Sequence, residues 1–134
     1  MNHNAKILDD TLRFERGWEK LKEVDGTAGE KVVSAMADIA PDFARHLVGC
    51  FGDIYSRPQL DLKSREIAVV AALTALGNAT PQLKVHLHAA LNVGCSREEI
   101  TEVIMQMSLY AGFPAALNAL FAAKEVFAEY QQAA

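Results

Sequence analysis

Cysteine is scarce in this chain, which contains only Cys50 and Cys95 among its 134 residues. The two are far apart and form no CxxC pair, so the spacing typical of a thioredoxin-like redox centre or a zinc knuckle is absent. The four histidines include no HxxxH or HExxH arrangement, and such arrangements are the usual signature of a metal site. The sequence therefore indicates no metal, and we expect both cysteines to be structural.

Clusters of positive charge and long apolar segments are also missing. The net charge is −4 at pH 7, whereas a nucleic-acid partner ordinarily requires a patch of lysines and arginines. The first ten residues lack the apolar core of a secretory signal, and the longest apolar run, from Ile67, is too short to span a bilayer. We expect a cytoplasmic protein that binds neither nucleic acid nor membranes.

No segment alternates apolar and polar residues with the enrichment in valine, isoleucine and threonine that strands show. The fold class is therefore all-α, a bundle of about six to seven helices, and residues 1–134 suit a single domain because 51% of them are hydrophobic. Capping boxes are predicted at Thr27 with Glu30 and at Ser96 with Glu99. Helices are predicted from about Asp9 to Val24, Thr27 to before Pro41, Pro41 to Tyr55, just after Asp61 to Gly77, Thr80 to before Gly94, Ser96 to Gly112 and from Pro114 onward.

The stretch from Arg65 to Asn92 carries the candidate chemistry. From Ile67 to Leu76 the only polar side chain is Thr74, and a helix that is apolar all round is expected to be buried. Glu66 begins this run, so its carboxylate should be partly desolvated, which makes it a candidate proton carrier. So much apolar helix surface also predicts a homo-oligomer, because one small core cannot readily cover it.

His86 and His88 lie on the next predicted helix and cannot share one pocket, because residues two apart point about 200° away from each other. His88 falls on the polar side between Lys84 and Asn92, while His86 falls among alanines and leucines, one turn after Gln82. His86 is therefore the inward ring. It is either a catalytic group or a core histidine hydrogen-bonded to its surroundings.

The segments LDLKSREIAVVAALTALG and QLKVHLHAALNVGCSREEITEVIMQMSLYAGFPAALNALFAAKEVF together resemble the carboxymuconolactone decarboxylase family, which belongs to the alkylhydroperoxidase-like superfamily. The resemblance covers residues 60–127. It implies an all-helical domain assembled as a homohexamer, a trimer of dimers with intertwined subunits. It also implies a cytoplasmic role in aromatic compound catabolism, through the protocatechuate branch that leads to β-ketoadipate.

The peroxidase-like branch of that superfamily uses a glutamate, a CxxC pair and a histidine as a proton relay. Glu66 matches the glutamate and His86 matches the histidine, but Ala79 and Gln82 stand near the cysteine positions. Neither side chain can form a thiolate or a disulfide. An alkylhydroperoxidase-like antioxidant activity is therefore disfavoured.

The decarboxylase branch implies a cofactor-independent lyase, because a lactone whose carboxylate is lost next to a conjugated ring carbonyl supplies its own electron sink. The resemblance then implies that His86 donates the proton and that Glu66 orients and charges its ring. The alternative is a non-catalytic oligomeric binding protein that keeps the same fold.

A carboxylated lactone also needs recognition by cationic and polar groups. Arg57 and Arg65 flank the central helix and are candidate anchors for its carboxylates, unless they are plain surface charges. Two polar residues have both a possible substrate contact and a structural alternative: Tyr110 could have a packing role, and a buried Asn118 could hydrogen-bond to neighbouring backbone and hold it in place. The other candidates for contact with the substrate are Gln82, Gln106, Tyr110 and Asn118.

Overall fold

The computed structural model describes residues 2–133, and the regular secondary structure in that range is helical, with no strand. This confirms the prediction of an all-α fold. The elements are α1 (His3–Asp25), α2 (Thr27–Met36), α3 (Pro41–Tyr55), α4 (Leu62–Leu76), α5 (Thr80–Asn92), α6 (Arg97–Ala111) and α7 (Phe113–Ala133). Within the described residues no helix is both long and apolar enough to cross a membrane.

The helices form two compact units, with α1 to α3 in the first, which ends at Leu60, and α4 to α7 in the second, which begins at Asp61. In the first unit α1 packs against α3, and both contact α2. In the second unit α4, α5, α6 and α7 enclose a core of aliphatic side chains and alanines. The fully buried members of that core include Leu87, Ile104 and Val126.

Glycines set the distance between α1 and α3. A Cβ atom added at Gly17 would overlap the carbonyl oxygen of Val48, and one added at Gly52 would overlap the backbone of Gly17. Glycine has a low helix propensity, which suggests that Gly17 should interrupt α1. The structure shows that it does not. It allows the two helix backbones to approach each other more closely than any side chain would permit.

Four helix starts differ from the sequence prediction, and one of them is that of α7, which begins at Phe113 rather than Pro114. Helix α1 begins at His3 rather than near Asp9, with Asn2 as its N-cap. The predicted capping box at Thr27 is wrong, because Thr27 is the first residue of α2 and the cap position is Gly26, with φ of 60°. Thr80 also lies inside its helix, after Ala79 at the cap position. At Thr27 and at Thr80 the helix thus begins one residue earlier than it would if the threonine were its N-cap.

The other predicted signals act as expected. The Asp61 side chain accepts a hydrogen bond from the Ser64 amide at 2.7 Å, and Gly77 ends α4 in the left-handed conformation with φ of 75°. At the start of α6, the Ser96 hydroxyl accepts from the Glu99 amide while the Glu99 carboxylate accepts from the Ser96 amide. These caps satisfy backbone groups that a helix end leaves unpaired.

The prediction that α4 is buried on every side is wrong for the isolated chain. Leu76 is 63% exposed, and Ala68, Ala72 and Ala75 are exposed as well. Within its unit α4 is covered by α5, α6 and α7, and these leave part of its apolar surface uncovered. The apolar composition of α4 therefore exceeds what these three helices bury.

Gly17→Ala is expected to lower the free energy of unfolding by about 1–3 kcal/mol, because the new methyl group must push the α3 backbone away. Gly49→Ala is the matched control. Its Cβ would lie 2.8 Å from the Arg13 guanidinium, the flexible end of a side chain that can move, so its cost should be much smaller. Urea unfolding followed by circular dichroism measures both, and equal midpoints for the two variants would contradict the close approach at Gly17.

Candidate functional site

Glu66 and His86 form a hydrogen-bonded pair between α4 and α5. The Glu66 side chain is completely buried and the His86 ring is 20% exposed. The Nδ1 atom of His86 lies 2.9 Å from Oε2 of Glu66. Helix α4 places the carboxylate on its covered face, and α5 brings the ring to it from the side, so the pair joins two neighbouring helices.

This contact fixes the chemistry of the imidazole. An ionised carboxylate only accepts hydrogen bonds, so Nδ1 of His86 carries the hydrogen that it donates to Glu66. The second ring nitrogen, Nε2, is then the atom at which the ring can gain or lose a proton without breaking this bond. A carboxylate in this position orients the ring and stabilises its positive charge when Nε2 is protonated.

His88 takes a different partner, as the helical angle between the two histidines predicts. Its Nε2 atom lies 2.9 Å from Oε2 of Glu129 on α7, and that carboxylate is 61% exposed. The two rings thus make contacts of equal length with carboxylates of very different burial. His88 belongs to a surface pair, and His86 belongs to a buried one.

Thr74 is a polar group that the sequence singled out without giving it a role. It is 1% exposed, and its hydroxyl has no hydrogen-bond partner among the described residues. Glu66, Val70 and Thr74 follow one another at intervals of four on the buried face of α4, so two polar side chains lie on that face. The signal in the sequence was that Thr74 is the lone polar residue of the apolar run.

The predicted substrate-contact residues are dispersed. Arg65 is half-buried on α4, directly before Glu66, and Gln82 is exposed on α5, one turn before His86. Arg57 is exposed and follows α3, in the first unit.

Gln106, Tyr110 and Asn118 are all exposed, the first two on α6 and the third on α7. Tyr110 is 76% exposed, so the packing role considered for it is not realised within the chain. The same holds for the backbone-pinning role of Asn118. The structure thus joins Glu66 to His86 by a hydrogen bond and leaves these three polar side chains open to a ligand or to another surface.

Both cysteines are free thiols. Cys95 is buried, with Sγ 3.8 Å from the carbonyl oxygen of Lys63, and burial raises the pKa of its thiol. That agrees with a structural role. Cys50 is instead exposed on α3, with Sγ 3.6 Å from Nε2 of His46 and from Nη2 of Arg13, so it is not a core residue.

Comparison with known proteins identifies related chains. The model of the carboxymuconolactone decarboxylase family matches residues 41–125. The chain is 35% identical over 125 residues to a 4-carboxymuconolactone decarboxylase of Acinetobacter baylyi, covering 90% of each protein. It is 37% identical over 110 residues to an uncharacterised 15.0 kDa protein of Paracoccus denitrificans, covering 81% of this chain and 78% of the relative.

A more distant relative is a nitrosuccinic acid decarboxylase of Metarhizium robertsii. It is 29% identical over 112 residues, which cover 80% of this chain and 76% of the relative. Two of these three relatives are thus named as decarboxylases, for two different acids.

A double-mutant cycle should separate the buried pair from the surface pair. We expect Glu66→Leu and His86→Leu to show a coupling free energy of about 1.5–3 kcal/mol, the range for hydrogen bonds to charged groups. The matched cycle, Glu129→Leu with His88→Leu, should give about 1 kcal/mol or less, because exposed pairs are screened by water. Chemical unfolding at pH 7 measures both cycles. A coupling for Glu66 and His86 no larger than that of the surface pair would rule out the buried interaction.

Proposed function

Because the chain belongs to the carboxymuconolactone decarboxylase family, we propose that it is a cofactor-independent carboxy-lyase acting on a small unsaturated lactone, with 4-carboxymuconolactone as the first candidate. The relatives named as decarboxylases support a decarboxylase-like role. The structural observation that carries the proposal is the 2.9 Å contact between the buried Glu66 carboxylate and the His86 ring.

The proposed reaction begins with cleavage of the bond between a ring carbon and its carboxylate, which releases CO₂. The electron pair left behind is delocalised through the conjugated double bond onto the ring carbonyl, as an oxyanion. Protonation of the ring carbon next to that carbonyl then restores the lactone with a shifted double bond. The enzyme must stabilise the oxyanion and deliver one proton.

His86 is the proposed proton donor, through Nε2, because Nδ1 is held by Glu66. Glu66 keeps the ring in one orientation and stabilises the imidazolium before the transfer. After the transfer the ring is neutral, and it must regain a proton before the next turnover. Partial exposure of 20% fits a group that must both meet a ligand and exchange protons with water.

Recognition of the carboxylates is assigned to cationic and amide side chains. We assign this role to Gln82, which lies one turn before His86 on α5, and to Arg65, which precedes Glu66 on α4. A guanidinium can bind a carboxylate through two parallel hydrogen bonds, which also fixes its direction. Further contacts are proposed for Arg57, Gln106, Tyr110 and Asn118.

A nitro-substituted succinic acid is the second candidate substrate, suggested by the name of the relative from Metarhizium robertsii. A nitro group next to the departing carboxylate accepts the electron pair as the lactone carbonyl does. Both candidates are dianions that carry their own electron sink. The same pair of residues, Glu66 and His86, would serve for either one.

We further propose that the chain acts as one domain, cytoplasmic, in aromatic compound catabolism. The family match supports the proposal of one domain, since residues 41–125 include helices of both compact units. The relationship to a 4-carboxymuconolactone decarboxylase is the support for the proposed pathway and location.

His86→Ala is expected to lower kcat for 4-carboxymuconolactone by at least about 100-fold, because it removes the proton donor. Ultraviolet absorbance of the lactone follows its consumption by the purified protein. His88→Ala is the matched control and should retain full turnover, since His88 lies in the surface pair. Unchanged turnover in His86→Ala would remove His86 from the mechanism. Failure of the unmodified protein to consume either candidate acid would favour the non-catalytic binding protein.

A homohexamer is part of the proposal. Exposed apolar side chains continue from the end of α6 into α7, with Leu109 79%, Phe113 73% and Phe121 61% exposed. Phe113, Leu117 and Phe121 recur at intervals of four and so share one face of α7. A continuous apolar surface of this kind is expected to bind a second copy of the chain.

Phe113→Glu combined with Phe121→Glu should reduce the mass of the assembly, because two charges would be buried in the proposed contact. Light scattering after size-exclusion chromatography measures the mass. Glu102→Gln, at an exposed polar position of α6, serves as the control and should not alter it. A mass equal to one 14.6 kDa chain for the unmodified protein at micromolar concentration would contradict the oligomer.

A further inference from the structure

A shallow groove between α6 and α7 contains none of the residues assigned to decarboxylation. Its lining includes the apolar side chains of Leu120 and Phe127 and the polar side chains of Arg97, Lys124 and Gln131. The groove is largely open to solvent and has a volume of about 310 Å³, at the small end of the range for sites that hold organic ligands. The groove therefore combines an apolar surface with several hydrogen-bond donors.

The charge of this groove differs from that of the rest of the protein. The chain carries a net charge of −4, yet the described lining residues include Arg97 and Lys124 and no acidic side chain. Two nearby glutamates of α7 are directed to α5 instead, where Glu125 pairs with Lys84 and Glu129 pairs with His88. Glu125 and Glu129 of α7 thus pair with residues of α5, whereas Lys124 of α7 lines the groove.

The guanidinium of Arg97 is held in place before any ligand binds. Its Cζ atom lies 5.5 Å from the centroid of the Phe127 ring, and its Nη2 atom donates a hydrogen bond to the carbonyl oxygen of Phe127 at 3.4 Å. A guanidinium has five N–H groups in a planar fork, so most of its donors remain for another acceptor. Stacking on the ring reduces the side-chain entropy lost when an anion binds.

We propose that this groove is a binding site for a small amphipathic carboxylate, separate from the Glu66 and His86 pair. The carboxylate accepts hydrogen bonds from Arg97 and Lys124, with the Gln131 amide as a further donor. The apolar body of the ligand lies over Leu120 and Phe127. Sequence analysis gave no signal for this site, because Arg97 and Lys124 come from different helices and form no motif.

Isothermal titration calorimetry with benzoate as the probe tests the site on the full-length protein. Benzyl alcohol, which lacks the charge, and acetate, which lacks the apolar ring, are the paired comparison ligands and should each bind more weakly. Lys124→Gln should weaken benzoate binding by about tenfold, the effect of losing one charge-assisted hydrogen bond. Lys124 is exposed, so its replacement is not expected to affect folding.

Three further variants give independent outcomes. Ala128→Leu fills the groove without changing charge and should also weaken benzoate binding, because Ala128 lines it. Lys31→Gln, a charge change at an exposed position of α2, is the control and should leave the affinity unchanged. His86→Gln should also leave it unchanged if benzoate occupies the groove.

Three results would overturn the proposal. The first is an absence of benzoate binding at 10 mM, by calorimetry and by thermal shift, and the second is an affinity that neither Lys124→Gln nor Ala128→Leu alters. The third is loss of binding in His86→Gln, which would place benzoate at the proposed reaction site instead. Because the groove and the Glu66 pair share no residue, failure of one proposal leaves the other intact.

Discussion

The buried carboxylate of Glu66 is the constraint on which the candidate site depends. A charged group without access to water is costly unless it is paired and hydrogen-bonded, and the ring of His86 provides such a partner at 2.9 Å. The pair joins α4 to α5 and gives the imidazole a defined orientation. The contact that stabilises the buried carboxylate therefore also sets the orientation of the ring.

The surface pair of His88 and Glu129 shows that two contacts of equal length can have very different environments. Its atoms are as close as those of Glu66 and His86, but its carboxylate is surrounded by water. Water weakens the electrostatic effect of one group on the other, whereas a buried environment preserves it. The chemical difference between two histidines that are two residues apart therefore comes from which neighbouring helix each one meets.

Apolar surface is distributed unevenly over the second unit. Small residues of α7, among them Ala119 and Ala123, lie in the core, while Phe113 and Phe121 on the same helix are exposed. Helix α4 likewise has both a buried face and an exposed apolar one. On α7, Phe113 and Phe121 thus lie outside while Ala119 and Ala123 lie inside, an arrangement expected where the outer face meets another copy of the chain.

Helical structure and several helix ends were predictable from the sequence, because caps such as Asp61 and Ser96, and the glycine at 77, act on backbone groups only a few residues away. The inward direction of His86 followed from helical periodicity alone. Tertiary structure decided the rest. The sequence does not contain the close approach of α1 and α3 that requires Gly17, the 2.9 Å distance between Glu66 and His86, or the placement of Arg97 and Lys124 along one groove. These depend on packing between helices that are distant in the chain, which local propensity and spacing do not describe.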